Sequence, residues 1–185
     1  ALAQEITNGL TEPRAKAHAL GDWVRKNIRY VAVYIGPGGV VPHTSETVMA
    51  NRYGDCKDHV TLLEAMLASI GIDSTPALIN LGNSYRLQNV PTLGVLNHVI
   101  TYIPSLNLFL DSTAGPVAAG YLPASELDKP VVLTKTGQIK RTPATQKNIA
   151  MSTTEFRISA HGAADFNHSI SVTGGEAEGV RYLMR

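Results

Sequence analysis

A helix pattern that begins directly after a polar turn constrains the fold of this chain more than any other feature. Apolar residues recur three and four positions apart along it, at Val60, Leu63, Met66, Leu67 and Ile70. This spacing predicts a helix with one buried face that stops at Gly71. The only cysteine of the chain, Cys56, lies where the turn gives way to this helix.

The predicted position of Cys56 favours a reactive thiol. The first turn of a helix carries unpaired backbone N–H groups and the positive end of the helix dipole, and both stabilise an anion. A thiolate is the form of cysteine that attacks a carbonyl carbon. Lys57 adds to this bias, whereas Asp55 and Asp58 oppose it. The alternative is a small buried cysteine that only packs, because free cysteine is among the most buried residue types.

A histidine and an aspartate lie further along on a predicted hairpin. The runs from Leu96 to Ile103 and from Leu108 to Thr113 have strand character. Between them, residues 104–107 contain the turn formers proline, serine and asparagine. A four-residue loop of this kind pairs Ile103 with Leu108.

This register predicts that His98 and Asp111 share one face of the sheet. Ile100 then lies opposite Asp111, and His98 is one diagonal step away. Diagonal neighbours across two strands are about 7–8 Å apart at the backbone, which allows a carboxylate to reach an imidazole. A slip of one residue moves Asp111 to the other face. A nucleophile at a helix start with a His–Asp pair is the arrangement in which a base takes the thiol proton and an acid orients the base.

Three motifs in this order resemble the bacterial transglutaminase-like superfamily. They are the runs Arg52 to Asp58, Asn97 to Ile100 and Leu110 to Thr113, and the resemblance covers the chain from Thr11 to Thr142. It implies an α+β, papain-like fold in which the cysteine begins a central helix packed on an antiparallel sheet that carries the histidine and the aspartate.

The resemblance also implies roles for three residues, with Cys56 as nucleophile, His98 as base and Asp111 as the acid that orients the base. These are the predicted catalytic residues. His59 stands where relatives more often carry another polar or basic residue, and this departure leaves the three intact. The resemblance does not imply transglutamination, because members include proteases, amidases and proteins without demonstrated activity.

The predicted function is cysteine-dependent acyl transfer or hydrolysis on a peptide or carboxamide substrate, through a thioester and without a cofactor or metal. The sequence favours neither hydrolysis nor transamidation. One alternative is a non-catalytic peptide-binding module on the same fold. Another is a metal site formed by Cys56, His59, His98 and Asp111, which is weakened because the chain has no second cysteine to complete a typical zinc signature.

The chain of 185 residues is long enough for one solid domain. Residues 1–145 are predicted to form the core. From residue 146 the pattern changes to strands of period two, with Phe156 and Ile158 on one strand and Phe166, Ile170 and Val172 on the next. We therefore predict that residues 146–185 begin a truncated β-rich domain. The chain starts within a helical pattern, which predicts a piece cut from a longer protein.

Charge and hydropathy restrict the classes of partner that the chain is expected to bind. The net charge is +1, with no basic run that would indicate nucleic-acid binding. No apolar run approaches the roughly 20 residues that span a bilayer, so no membrane segment is expected in this fragment. The expected partner is a peptide or protein substrate. The resemblance suggests a bacterial periplasm or cell envelope as the location, and nothing in the sequence indicates an oligomeric state.

Overall fold

Helices, a five-stranded sheet and two smaller strand pairs make up the part of the chain that is described. The structure is a computed structural model that describes residues 2–32, 39–82, 85–87, 92–175, 177 and 180. The helices are α1 (Leu2–Ile6), α2 (Pro13–Asn27), α3 (Ser45–Asn51) and α4 (Cys56–Ala68). The strands are β1 (Arg29–Tyr30), β2 (Tyr53–Gly54), β3 (Thr75–Ile79), β4 (His98–Ile103), β5 (Leu108–Leu110), β6 (Pro130–Leu133), β7 (Ile139–Arg141), β8 (Ile149–Ile158) and β9 (Ala164–Thr173).

Helix α4 is the element that the apolar period predicted. Its inward face is buried, with Leu63 and Leu67 completely inaccessible to solvent. This face packs with residues of α2 and with the ends of β4 and β5 in one apolar core. The helix ends at Ala68 rather than at the predicted Gly71, which instead takes a left-handed φ of 78° in the turn that follows.

The central sheet is antiparallel throughout, in the order β5-β4-β3-β6-β7. All six residues of β4 are buried, because α4 contacts this strand and a second apolar cluster covers its other face. That cluster includes Ile100, Tyr102 and Phe109. The predicted α+β class is therefore confirmed, with the cysteine helix packed on an antiparallel sheet.

The predicted register of β4 and β5 is confirmed. Ile103 pairs with Leu108 across a turn in which Asn107 takes a left-handed φ of 44°. Pairing ends at Thr101 and Leu110, so β5 is shorter than predicted and Asp111 follows the strand instead of belonging to it. The physical reason lies in the side chain of Asp111, which binds backbone two residues ahead and so competes with the ladder.

A short parallel pair, which the sequence pattern did not predict, connects the regions before α3 and before α4. Strand β1 pairs with β2 through Arg29 with Tyr53 and Tyr30 with Gly54. The strand-like composition from Arg29 to Ile35 predicts a longer strand than β1, and residues 33–38 lie outside the described part of the chain. This pair sets Tyr30 next to the turn that leads into Cys56.

Strands β8 and β9 form the hairpin that the period-two pattern predicted. All ten positions pair in register, with Phe156 opposite Phe166. Their rings are 6.0 Å apart on a face that is largely exposed. That residues 146–185 form a separate domain stays a prediction. Among the described residues, no helix is sufficiently long and apolar to cross a membrane.

Candidate active site

The start of α4 is fixed by a reciprocal cap around Cys56. The Asp55 carboxylate accepts the backbone N–H groups of Lys57 at 3.1 Å and Asp58 at 3.3 Å. The Asp58 carboxylate in turn accepts the N–H of Asp55 at 3.2 Å. Glycine is needed at position 54, because a Cβ there would lie 2.5 Å from the Cβ of Asp58. Cys56 is thus the first helical residue, and it is half-buried.

The charged residues next to Cys56 in the sequence are engaged in contacts of their own. The Lys57 ammonium forms an ion pair with Asp55. The buried Asp58 carboxylate accepts the N–H of His43 at 2.8 Å and contacts the His43 ring at 3.1 Å. Burial alone would raise the pKa of Asp58, but these contacts outweigh it and hold the pKa below its ordinary value. The sequence predicts that Lys57 favours a Cys56 thiolate while Asp55 and Asp58 oppose it. In the structure, Lys57 is instead paired with Asp55, and Asp58 with His43.

His98 and Asp111 are in direct contact beneath the surface. The His98 Nε2 atom lies 3.1 Å from Asp111 Oδ2, and both side chains are 4% exposed. His98 is the first residue of β4, and Asp111 is the first residue after β5. The other oxygen of Asp111 accepts the Thr113 N–H at 2.8 Å and the Thr113 hydroxyl at 2.7 Å. These contacts orient the carboxylate toward the imidazole.

The protonation of this pair is strongly perturbed in opposite directions. Burial lowers the pKa of His98, yet the hydrogen bonds and charges of Asp111 and Cys56 raise it to about 9. Burial raises the pKa of Asp111, but the hydrogen bond and charge of His98, helped by Glu126 and the Thr113 N–H, lower it to about 2. At neutral pH the pair is accordingly an imidazolium and a carboxylate.

Cys56 lies near His98, since its interaction with the imidazole contributes to the raised pKa of His98. Since Nε2 of His98 faces Asp111, Nδ1 is the ring nitrogen available on the thiol side. The structure places His98 against Asp111 and places Cys56 at the start of α4, and the catalytic roles of the three residues stay a prediction. Such an arrangement is chemically able to move a proton between a thiol and an imidazole.

His59 links the cysteine helix to the segment after Asp111. Its Nδ1 lies 3.0 Å from the carbonyl oxygen of Ser112, so this nitrogen must carry the hydrogen. The ring is 1% exposed and meets the edge of Tyr30 at 5.9 Å. Burial lowers the pKa of His59, and the Ser112 carbonyl and nearby aspartates oppose this only in part. The imidazole is therefore neutral at neutral pH.

The four residues of the alternative metal site are not assembled as a group. Within the described part of the chain, the group of three or more His, Cys, Asp or Glu residues whose ligand atoms all lie within 4.8 Å of one another consists of His98, Asp111 and Glu126. Neither Cys56 nor His59 belongs to that group.

The N-terminal part of the chain is similar in sequence to a known protein family. Residues 1–84 match the sequence model of the transglutaminase-like superfamily. The resemblance inferred from the three motifs is thereby confirmed over a stretch that contains Cys56 and ends before His98 and Asp111. No curated protein sequence matches the chain.

Two solved structures are similar in fold. A candidate protease from Parabacteroides distasonis has a TM-score of 0.56 and 18% identity, covering 78% of this chain and 27% of that protein. A candidate cysteine protease from Cytophaga hutchinsonii has a TM-score of 0.47 and 14% identity, covering 94% of this chain and 49% of that protein. The chain thus spans only about a quarter and about half of these proteins. The first likeness supports the α+β fold of this chain.

Two residues that contact Asp111, Thr113 and Glu126, were not predicted from the sequence. Thr113 follows Asp111 by two positions, a spacing at which a hydroxyl and a backbone N–H commonly bind an aspartate, so a signal for it was present. Glu126 has no such signal. It lies in a short 3₁₀ turn, Ala124–Glu126, and reaches Asp111 only because the chain folds back after β5.

Proposed function

We propose that the protein is a cysteine-dependent enzyme that transfers or hydrolyses acyl groups of peptide or carboxamide substrates through a thioester. The observation that carries the proposal is the buried His98–Asp111 pair, with 3.1 Å between its polar atoms and with Cys56 near enough to raise the pKa of His98. A buried imidazole between a thiol and a carboxylate supports nucleophilic catalysis, in which a base activates the nucleophile and an acid orients the base.

In the first step the Cys56 sulfur attacks the carbonyl carbon of the substrate amide. The proton of the thiol is held by His98, which is already an imidazolium at neutral pH, and the carbonyl oxygen becomes an oxyanion as the sulfur attacks. The backbone N–H of Cys56 is the donor we assign to that oxyanion. The cap supports this assignment, because the Asp55 carboxylate accepts the next two N–H groups of the helix, those of Lys57 and Asp58.

The intermediate then collapses to a thioester. The C–N bond breaks, His98 returns its proton to the departing amine or ammonia, and the acyl group stays on the Cys56 sulfur. Water or a second amine attacks the thioester as His98 takes its proton, and the C–S bond breaks to leave the Cys56 sulfur beside a protonated His98, as at the start. Asp111 holds the ring orientation and stabilises the imidazolium throughout.

The substrate class that fits this chemistry is a peptide or protein with an amide accessible to a half-buried thiol. Both the glutamine side chain and the main-chain peptide bond have the required carbonyl. We include both in the proposal, as well as water and amines as acceptors. A peptide-binding module without turnover is the competing function, and the tests below separate the two.

The first test measures whether Cys56 is activated by His98. Iodoacetamide should alkylate Cys56 of the unmodified protein at neutral pH, and His98→Ala should slow the reaction at least about tenfold because the thiolate loses its cationic partner. His161→Ala is the matched control, since His161 is an exposed histidine on the β8–β9 hairpin. Equal rates in all three proteins would indicate an unactivated thiol.

The second test looks for turnover. A panel of glutamine-containing peptides and peptide amides is incubated with the protein, and ammonia, amine and cleaved peptide are measured. Mass spectrometry of the quenched reaction should show the acyl group attached to Cys56. Cys56→Ser should abolish both signals. Saturable peptide binding without product or acylated Cys56 in the unmodified protein would favour the binding module.

A further inference from the structure

Glu126 is a buried acid beside the His98–Asp111 pair to which the proposed reaction assigns no role. The residue is 1% exposed. One of its carboxyl oxygens lies within 4.8 Å of a ring nitrogen of His98 and of a carboxyl oxygen of Asp111. Two carboxylates at this spacing in a buried site repel each other strongly, so one of them holds a proton at a pH where exposed acids are ionised.

The contacts decide which acid keeps the proton. Asp111 faces His98 Nε2 at 3.1 Å and accepts the N–H and the hydroxyl of Thr113 at 2.8 and 2.7 Å. All of these donors stabilise a negative charge on Asp111. Asp111 also has a side-chain hydrogen bond with Glu126, and two carboxyl groups form such a bond only when one of them carries a hydrogen. That hydrogen therefore belongs to Glu126.

The fold also holds Glu126 firmly against the pair. Its N–H binds the carbonyl of Pro123 at 2.9 Å, closing the 3₁₀ turn. Its carbonyl accepts the hydroxyl of Thr142 at 2.6 Å, which joins the turn to the segment after β7. Backbone contacts on both sides thus fix the direction from which the side chain enters the site.

We propose that Glu126 is a neutral carboxylic acid at neutral pH and a positioning residue that donates a hydrogen bond to Asp111. The bond holds Asp111 in the orientation that meets His98 without adding a second negative charge to the site. The titratable groups near this pair are His98, His59, whose ring interacts with the Asp111 charge, and Cys56, which interacts with His98. The consequence for turnover rests on the proposed function, whereas the protonation state of Glu126 does not.

The first experiment is an NMR titration of the His98 ring in the unmodified protein, Glu126→Gln and Glu126→Leu. Glu126→Gln replaces a neutral donor by another neutral donor, so the titration of His98 should be unchanged. If Glu126 is ionised, the same substitution removes a negative charge near the imidazole, and the pKa of His98 should fall by about one unit or more. That fall would overturn the proposal. Glu155→Gln removes an exposed acid of the β8–β9 hairpin and is the matched control.

A direct measurement covers the case in which the substitutions disturb folding. The Glu126 carboxyl carbon of the unmodified protein should keep the chemical shift of a protonated acid between about pH 5 and about pH 8, where an ordinary glutamate is ionised. A carboxylate shift over that range would overturn the proposal independently of any variant.

The positioning role has its own readout. Glu126→Leu keeps the volume but removes the donor, so kcat should fall about tenfold or more because a hydrogen bond to a charged group is lost. Glu126→Gln should restore most of kcat, and KM should change little in either variant. A kcat of Glu126→Leu equal to that of the unmodified protein would refute the role. If the unmodified protein has no turnover, the proposed function fails, while the two NMR measurements still decide the protonation of Glu126.

Discussion

Replacing Asp111 by asparagine should remove much of the positive charge that His98 carries at neutral pH. Burial lowers the pKa of His98, and the two contacts with Asp111, with help from Cys56, raise it from 6.5 to about 9. Asparagine keeps the shape and one acceptor but has no charge. The burial remains, so we expect the pKa of His98 to fall by roughly two units in Asp111→Asn.

The same change has a defined effect on stability. A histidine whose pKa is higher in the folded than in the unfolded protein stabilises the fold below its unfolded pKa, and this stabilisation disappears as the pH rises through the folded pKa. For His98 the window runs from 6.5 to about 9. At 1.36 kcal/mol per pKa unit, this corresponds to about 3 kcal/mol of unfolding free energy. In the Asp111→Asn variant, the unfolding free energy should therefore decrease only a little as the pH rises through this window.

The assay is the unfolding free energy by denaturant titration at about pH 6 and about pH 9.5, beside an NMR titration of the His98 ring. At each pH, the unfolding free energy of the variant is subtracted from that of the unmodified protein. This difference cancels the contributions of titratable groups that do not contact Asp111. Cys56→Ser is the second arm. It should lower the pKa of His98 by less than Asp111→Asn does, because Asp111 provides the larger of the two stabilising hydrogen bonds.

One result would refute the reasoning. If Asp111 acts only as a turn residue that binds Thr113, asparagine preserves most of that role. His98 would then titrate alike in both proteins, and the two stability curves would stay parallel from about pH 6 to about pH 9.5.

Two further predictions concern the framework of the site. Gly120→Ala should destabilise the fold by about 1–3 kcal/mol, because Gly120 has a φ of 94° and a Cβ there would lie 2.6 Å from the His18 ring. Gly9→Ala is the control, with a φ of 78° and open space around it, and thermal unfolding that is equally affected in both would contradict the steric argument. Asp58→Ala should cost about 2 kcal/mol or more at neutral pH, because the buried N–H groups that Asp58 accepts, including that of His43, lose their acceptor. The difference in unfolding free energy should shrink as the pH falls below 3.8 through the lowered pKa of Asp58, and a difference independent of pH would argue against a role for the charge.

Local patterns in the sequence were sufficient for the main contacts of the site. The apolar period and the polar turn located the helix start at Cys56. The four residues between Ile103 and Leu108 determined the register, and register alone decides whether Asp111 shares a face with His98. Both signals are short in range, so a single sequence carries them completely.

The contacts that the sequence did not predict are long in range or depend on competition between neighbours. Threonine is a common helix cap, which favours Thr11 as the cap of α2, yet Glu12 occupies the cap position without a side-chain hydrogen bond and Pro13 begins the helix. The ring of His43 reaches Asp58 across α3, and Glu126 reaches Asp111 from a separate turn. Sequence periodicity does not predict such long-range side-chain contacts, because they depend on how complete helices, strands and turns pack together.

The pairing of charges around the helix start changes the electrostatic argument for Cys56. From the sequence, Lys57 was expected to favour a thiolate directly. In the structure its ammonium is engaged by Asp55, and Asp58 is engaged by His43. His98, by contrast, interacts with Cys56, and this interaction helps to raise the pKa of His98. Because Asp111 maintains that cation, any electrostatic activation of Cys56 passes through the His98–Asp111 pair and the backbone of the helix start, with Lys57 confined to the cap.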